Sequence, residues 1–504
     1  MFPGLKGSAT TALALVLIAL AAAAVPSDAN WVRLDPHDSP ETVVMKAARV
    51  TPSPRQLAWQ DLEYVAFVHF GMNTFTGREW GNGREDPRLF NPTAFDARQW
   101  TRTARAAGMK MIIITAKHHD GFCLWPSAYT GHSVKNSPWK NGRGDVVREV
   151  AQACRAEGLK LGIYLSPWDR HEPTYGTAAY NDYYKNQLRE LLANYGPVAD
   201  VWLDGAGRGR KWKKMRQLYD WEGYYALIRE LQPNAVISSV GPDTRWCGNE
   251  AGKNRASEWS VVPEQFDYQA EDIGGRDKLM EAAKRGEKLR WYPAFIDTSI
   301  RPGWFYHARE DSMVKPLPKL LAIYYGAVGG NGLLILNLPP DRRGLVHEND
   351  ARRVMELAQV LDRTFAQNLA AGARAVASTQ QTNDDGHGAG QTLDGDPDTY
   401  WSTDEGVTAA AIVYELDGPR TFNVALLREH IKSGQRVEEF YLEAWDEGNW
   451  AVITHATVIG HKRLLRFPAV TADRVRVRIV RSRLCPTLAE FGLYQSPSAS
   501  PEVY

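Results

Sequence analysis

Several signatures that would name a chemistry at once are missing from this chain: it has no glycine-rich nucleotide loop, no HExxH metal helix, no CxxC pair and no internal repeat. That removes the readiest readings as a dinucleotide enzyme, a zincin, a thiol oxidoreductase or a solenoid. Cysteine is scarce. Cys123, Cys154, Cys247 and Cys485 are widely scattered, so neither a disulfide-stapled scaffold nor a cysteine zinc cluster is encoded. Excess charge of either sign is missing too: 60 Lys+Arg against 59 Asp+Glu leave a formal +1, which gives no electrostatic reason to expect nucleic acid or acidic lipid as a partner. Only one long apolar run occurs, Thr11 to Val25, after Lys6 and before the small residues of Ser27-Asp28-Ala29. It reads as a signal peptide over residues 1–29, and no second run follows. The expectation is an exported protein, periplasmic or secreted, with no membrane span after cleavage, in a compartment that permits disulfides.

What the chain does have is length and aromatic surface. Its 504 residues, 44% hydrophobic, can fill two or three domains, and 17 Trp and 21 Tyr supply flat faces of the kind that pack on the C–H faces of sugars. Short apolar runs alternate with longer amphipathic ones from Tyr64 onward. Tyr64 to Phe70, Lys110 to Thr115, Lys160 to Ser166, Val198 to Asp204, Ala235 to Val240, Leu289 to Phe295 and Leu333 to Leu338 read as strands. Between and after them, Asp96 to Ala107, Gly144 to Glu157, Ala178 to Tyr195, Lys213 to Leu231, Met313 to Gly326 and Glu348 to Thr364 read as helices. Seven strands with an eighth near Trp259 to Val262 predict an irregular (β/α)8 barrel over residues 30–369, a doubly wound sheet being the alternative. Asn30 to Trp59 looks irregular.

Beyond Ala370 the period shortens. Ile412 to Leu416, Phe422 to Leu427, Phe440 to Trp445 and Arg474 to Val480 alternate like half-solvated strands, with Val475, Val477 and Ile479 on one face and arginines on the other. This predicts an independent all-β sandwich over 370–497, with Thr379 to Gly390 as an early loop and a tail at 498–504.

The chemistry gathers at the C-terminal ends of the predicted strands: His69, Lys117-His118-His119-Asp120, Trp168-Asp169, Asp204, Arg245 to Glu250 and Trp304. Only at that face of a parallel barrel do separate loops converge on one cavity. Asp204 closes the run V-A-D-V-W-L-D-G at Val198 to Gly205, a strand suited to burial on both faces. Two chemistries fit. Metal-assisted hydrolysis would use His69, His118, His119 and Asp204, although adjacent histidines on an extended segment point to opposite sides and make a poor pair of ligands. Glycoside hydrolysis would use two carboxylates, with histidines and tryptophans holding the sugar. Singly, His118 and His119 could satisfy a buried loop, Glu79 could be a solvated acid, and Trp80 and Trp304 could be core. The cluster Arg208 to Lys214 reads as a solvated loop, or as a contact for an acidic substituent.

His69-Phe70-Gly71, Glu79-Trp80, Lys117-His118-His119-Asp120-Gly121-Phe122, Val201-Trp202-Leu203-Asp204-Gly205, Gly248-Asn249-Glu250, Arg301-Pro302-Gly303-Trp304 and Asn337-Leu338-Pro339-Pro340 together resemble the α-L-fucosidases of glycoside hydrolase family 29. The resemblance runs in order from about Tyr64 to Ala371. It implies a retaining exo-α-L-fucosidase with no cofactor required for catalysis, acting on fucosylated oligosaccharides or glycoconjugates. Asp204 falls on the family's nucleophile. His69, Glu79, Trp80, His118 and His119 fall on positions that hold fucose. The Gly-Asn-Glu form with Trp304 downstream resembles the branch preferring α-1,3/4 linkages on branched glycans, which makes Glu250 the acid/base, with Asp243, Glu258 and Glu264 as other carboxylates in the same region. Leu393 to Ser402 (L-D-G-D-P-D-T-Y-W-S) is similar to discoidin-type, factor 5/8 C-terminal modules, which often bind sugars and a calcium ion. From the residues alone, Trp401 fits core packing, and Asp394 and Asp398 fit turn formation. A secreted lectin-like protein with an inactive barrel and a metal-dependent hydrolase are the competing functions.

Overall fold

The computed structural model describes residues 30–206, 217–382 and 385–497. The signal run, the Arg208 to Lys214 cluster, the first residues of the Lys213 to Leu231 helix, part of the Thr379 to Gly390 loop and the 498–504 tail lie outside them.

Eight parallel strands form the body of the first domain: β2 (Tyr64–Val68), β3 (Met111–Lys117), β4 (Lys160–Leu165), β5 (Asp200–Leu203), β6 (Val236–Ser239), β7 (Arg245–Trp246), β10 (Ala294–Ser299) and β11 (Leu333–Asn337). Their order, β6-β5-β4-β3-β2-β11-β10-β7, makes a nearly closed barrel. The seam between β6 and β7 has no ladder and is bridged by the Thr244 hydroxyl donating to Ser238 Oγ at 2.8 Å. Every strand is buried on both faces. Inward-pointing Val65, Phe67, Met111, Ile113, Tyr164, Trp202, Val236, Phe295, Leu333 and Ile335 fill the interior. Outward neighbours such as Ile112, Ile114, Ile163, Val201 and Leu334 pack in the surrounding shell. That double burial is why these runs read as continuously apolar in sequence.

Two expectations need correction. The eighth barrel strand is β7, not the segment near Trp259: β8 (Val261–Pro263) pairs antiparallel with β9 (Lys288–Trp291), which pairs with β1 (Trp31–Arg33) in a separate small sheet. The run Leu289 to Phe295 is accordingly split between that sheet and β10. Nor is the segment before Trp59 irregular. It carries β1 and helices α1 (Pro40–Ala48) and α2 (Pro54–Gln60), each begun by a serine cap and a proline in the first turn, where the missing N–H costs nothing. α2 presents Trp59 to the barrel, where its indole donates to Asp200 Oδ2 at 2.9 Å and closes the end remote from Asp204.

The second domain is a sandwich built on β12 (Arg374–Ala377), β14 (Ala410–Arg428), β15 (Val437–Asp446), β16 (Asn449–Ala456), β17 (Arg463–Ser482) and β19 (Glu490–Tyr494), all antiparallel, with a small pair β13 (Trp401–Ser402) and β18 (Thr487–Leu488). Val475, Val477 and Ile479 face its core beside fully buried Trp401. The two domains are knit together. Arg428 and Lys462 both pair with Glu63, which immediately precedes β2, and Ile431 of the sandwich packs into the core of the small sheet. Burial would raise the Glu63 carboxyl, but the two cations overcome it and hold it at about 2.

Candidate active site

Period-two geometry delivers the site. Beyond inward Phe67, Tyr164, Trp202, Phe295 and Ile335, the next inward positions at the strand ends are His69, Ser166, Asp204, Asp297 and Asn337. They surround a small open cavity of about 100 Å³ lined by Phe67, His69, Glu79, Trp80, His118, His119, Tyr164, Trp202, Asp204, Ala206, Glu250, Asp297 and Trp304. All eight side chains given a role by the family resemblance are in that lining, whereas Lys117, Asp120, Trp168, Asp169 and Arg245 are not. The cavity is far smaller than the roughly 300–1,000 Å³ of drug-sized pockets, which suits one terminal ring. A wider cleft of about 540 Å³ lies behind Glu79, lined in part by His307, Asp341, Arg343 and Glu348. Its acids are paired with Arg343.

Asp204 is half-buried, with Oδ2 accepting from the Tyr164 hydroxyl at 2.9 Å and Oδ1 from the Ala206 N–H at 2.6 Å. Burial and the adjacent Asp204 push the Tyr164 phenol well above its ordinary range, so it remains a donor. Both bonds hold the carboxylate in one orientation.

The three histidines are held neutral. Burial is the main cause: it pushes His69 down to about 4 and His118 and His119 below their ordinary value. Asn337 Oδ1 accepts from the His69 backbone N–H at 3.1 Å and from ring Nδ1 at 2.9 Å, while the Asn337 amide donates to Ser299 Oγ and to the Trp304 carbonyl. That amide orientation puts the proton of His69 on Nδ1 and leaves Nε2 as an acceptor. The same logic governs His119: the Ser166 hydroxyl donates to the Trp168 carbonyl at 2.6 Å, so Ser166 Oγ accepts from His119 Nδ1 at 2.7 Å. Two imidazole lone pairs are thereby left for hydroxyl donors.

His118 and His119 do not point to opposite sides, as an extended segment would require. A register shift between Thr115 and Lys117 and the turn over His119 and Asp120 bring both rings into the cavity, with centroids 4.0 Å apart. Lys117 instead turns outward to Asp169 at 2.9 Å and Gln187 at 2.8 Å, so Asp169 serves a buried ion pair and does not line the cavity. Among the described residues no group of three or more His, Cys, Asp or Glu side chains is arranged to hold a metal ion.

Glu79 accepts from the backbone N–H groups of Trp304 (2.8 Å) and Phe305 (3.3 Å) and contacts His307 Nε2 at 2.6 Å, tying the loop after β2 to the loop after β10. Trp80 is 48% exposed at the rim, edge-on to His119 and Trp168, so it is not core. Glu250 is exposed, held by the Trp304 indole donating to Oε2 at 3.1 Å. The competing acids are elsewhere: Asp243 pairs with Arg229, Glu258 with Arg245, and neither they nor Glu264 line the cavity.

Sequence reasoning passed over Tyr164 and Asp297 and gave no role to Asn337, though it opens the motif Asn337-Leu338-Pro339-Pro340. The signal that finds them is parity: each sits inward on its strand, two residues from a large interior side chain or in that layer itself.

The comparisons agree with this geometry. The α-L-fucosidase family model matches residues 22–364, and the F5/8 type C domain model matches 374–491. A putative alpha-L-fucosidase 1 of Oryza sativa subsp. japonica is 45% identical over 450 residues, 88% of this chain and 84% of that protein. Alpha-L-fucosidase 1 of Arabidopsis thaliana is 43% identical over 449 residues, 88% of this chain and 87% of the other. The crystal structure of a putative alpha-L-fucosidase from Bacteroides ovatus superposes with a TM-score of 0.84 at 44% identity, covering 95% of this chain and 79% of that one. A Ruminococcus gnavus GH29 fucosidase in complex with fucose gives 0.79 at 30% identity, covering 93% and 99%. With a parallel barrel, a one-ring cavity holding an acid from β5 and a second from the loop after β7, and these relatives, the chain belongs to the α-L-fucosidase family of glycoside hydrolases.

Proposed function

We propose that this protein is a retaining exo-α-L-fucosidase in which Asp204 is the nucleophile and Glu250 the general acid/base. One observation supports the reading: Asp204, oriented by Tyr164 and Ala206, and Glu250, oriented by Trp304, line a single cavity. Retention needs such a pair, with carboxyls roughly 5–5.5 Å apart. In the first step Asp204 displaces the leaving group at the anomeric carbon while Glu250 protonates the departing oxygen; in the second, Glu250 takes a proton from water, which releases fucose from Asp204. The acceptors of His69 and His119, together with Glu79 and Trp80, fit hydroxyls and a ring face.

The Gly248-Asn249-Glu250 run, with the Trp304 indole on Glu250, supports α-1,3/4-linked fucose on branched glycans as the substrate, and Lys6 with the Thr11 to Val25 run supports an exported location. The carboxylate pathway needs no metal. In the sandwich, Asp394 and Asp396 accept turn N–H groups through Oδ1, and Asp398 pairs with Lys432.

The deciding experiment is turnover of an aryl α-L-fucoside with the product anomer followed by NMR. Wild type should release α-L-fucose first, and folded Asp204→Ala should lose nearly all activity. Early appearance of the β anomer, or substantial activity in the variant, defeats the reading.

A further inference from the structure

A fourth carboxyl lines the same cavity, beside those of Glu79, Asp204 and Glu250. Asp297 sits on β10 two residues after interior Phe295, is 5% exposed, and accepts the Trp246 indole N–H at Oδ1, 2.8 Å away. Among the described residues it forms no ion pair, and neither do Asp204 and Glu250. The groups facing it are neutral or acidic: His69 from β2, His118 and His119 after β3, Tyr164 from β4, Asp204 after β5, Glu250 and the buried Cys247 after β7, and Glu79 across the cavity. The nearby Arg245 guanidinium is committed to Glu258. A carboxyl buried this deeply beside other carboxyls in so small a space keeps its proton. Burial first, then Glu250, pushes Asp297 up to about 8. The cavity also has few donors, because His69 and His119 both present lone pairs.

We propose that Asp297 is a further positioning residue of the hydrolytic site: with Oδ1 held by Trp246, its Oδ2–H donates a hydrogen bond to an oxygen of the bound sugar. The inference rests on the hydrolase reading given above. Its consequence is that Asp297 sets an alkaline limit of sugar binding. Above that limit the group becomes an anion with no proton to give.

The test uses full-length Asp297→Asn and Asp297→Ala. Asparagine can still accept from Trp246 and donate into the cavity at every pH. On an aryl α-L-fucoside, Asp297→Ala should lose about 30-fold or more in kcat/KM, chiefly through KM, and Asp297→Asn should recover it to within about tenfold of wild type. The alkaline limb near pH 8 in wild-type kcat/KM should be missing from Asp297→Asn. The same limb should appear when the affinity of free fucose is followed by tryptophan fluorescence, a readout that needs no turnover and so separates failure of this inference from failure of the catalytic reading. Equal losses in the Asn and Ala variants, or a limb unchanged in Asp297→Asn by either readout, overturn the proposal. Asp297→Asn is nearly isosteric, so a misfolded Ala variant does not shelter the idea.

Discussion

Gln435 belongs to the sandwich, touches nothing in the cavity, and should nevertheless matter to catalysis. Its side chain is fully buried, accepts from the Ser260 N–H at 2.7 Å and donates to the Glu258 carbonyl at 3.2 Å. Arg245 grips the same segment through the Glu258 carboxylate and the Trp259 carbonyl, and Arg245 begins the two-residue strand that continues through Trp246 toward Glu250. Gln435→Ala strands the Ser260 N–H in a buried setting, at about 1–3 kcal/mol; the Glu258 carbonyl keeps Asn331 at 2.8 Å. Since about 1.4 kcal/mol is a factor of ten, the ordered form of the 245–260 segment can lose up to about tenfold to a hundredfold of its advantage. Part of that is absorbed by reserve stability, so cleavage of a fucosylated oligosaccharide should fall about 3–30-fold. The bond-forming step from a nitrophenyl fucoside, which leans less on Glu250, should fall less than about threefold. Steady-state kinetics on the oligosaccharide and pre-steady-state release of nitrophenol measure the two. Equal losses on both substrates, or a lowered denaturation midpoint with unchanged kinetics, would refute the idea that the sandwich braces the acid/base loop.

Three shorter predictions accompany it. Glu250→Ala should cut oligosaccharide cleavage by about 10²–10⁴, accumulate fucosyl-enzyme on the aryl substrate, and regain turnover with azide as β-fucosyl azide; no rescue, with equal losses on both substrates, rejects Glu250. Lys117→Met should cost about 3–5 kcal/mol in denaturant unfolding, because it leaves Asp169 buried with only the His171 and Glu172 N–H groups, and Lys117→Met/Asp169→Asn should restore much of it. Exhaustive chelation should leave fucoside turnover unchanged, and a loss reversed by added zinc would revive the metal mechanism.

The barrel was legible because a doubly buried strand leaves an apolar run that helix periodicity cannot imitate at that length. β7 was not, because two residues, Arg245 and Trp246, carry no period at all and the ladder to β10 is what makes them a strand. The Trp259 region looked like a strand and is one, but its partner is Lys288–Trp291; choosing between sheets is decided by tertiary contacts such as Asn30 and Gln56 on Trp291, which lie more than two hundred residues away in sequence. The opening helices were hidden by their prolines, which punctuate a chain whether they begin a helix or prevent one.

The site divides along the same line. Residues that act by being charged or aromatic at a strand end, such as Asp204, His69 and Trp304, are visible because position and chemistry coincide. What chooses their protonation states is not, since it depends on partners brought from other strands: Asn337 sets the tautomer of His69, Ser166 that of His119, and Tyr164 fixes Asp204. The paired histidines show the cost of local geometry alone. Alternation predicts opposite faces, but a one-residue register shift after Thr115 exchanges Lys117 for His118 at the inward position, sending the lysine to Asp169 and both imidazoles to the cavity. A shift of that kind is affordable only because the outward side has a carboxylate ready for the ammonium; without Asp169, Lys117 would be buried among Tyr180, Tyr183 and Tyr184 with no counter-charge. The acid that sequence reading placed at a strand end as a candidate for chemistry is therefore what permits the two histidines to line one cavity.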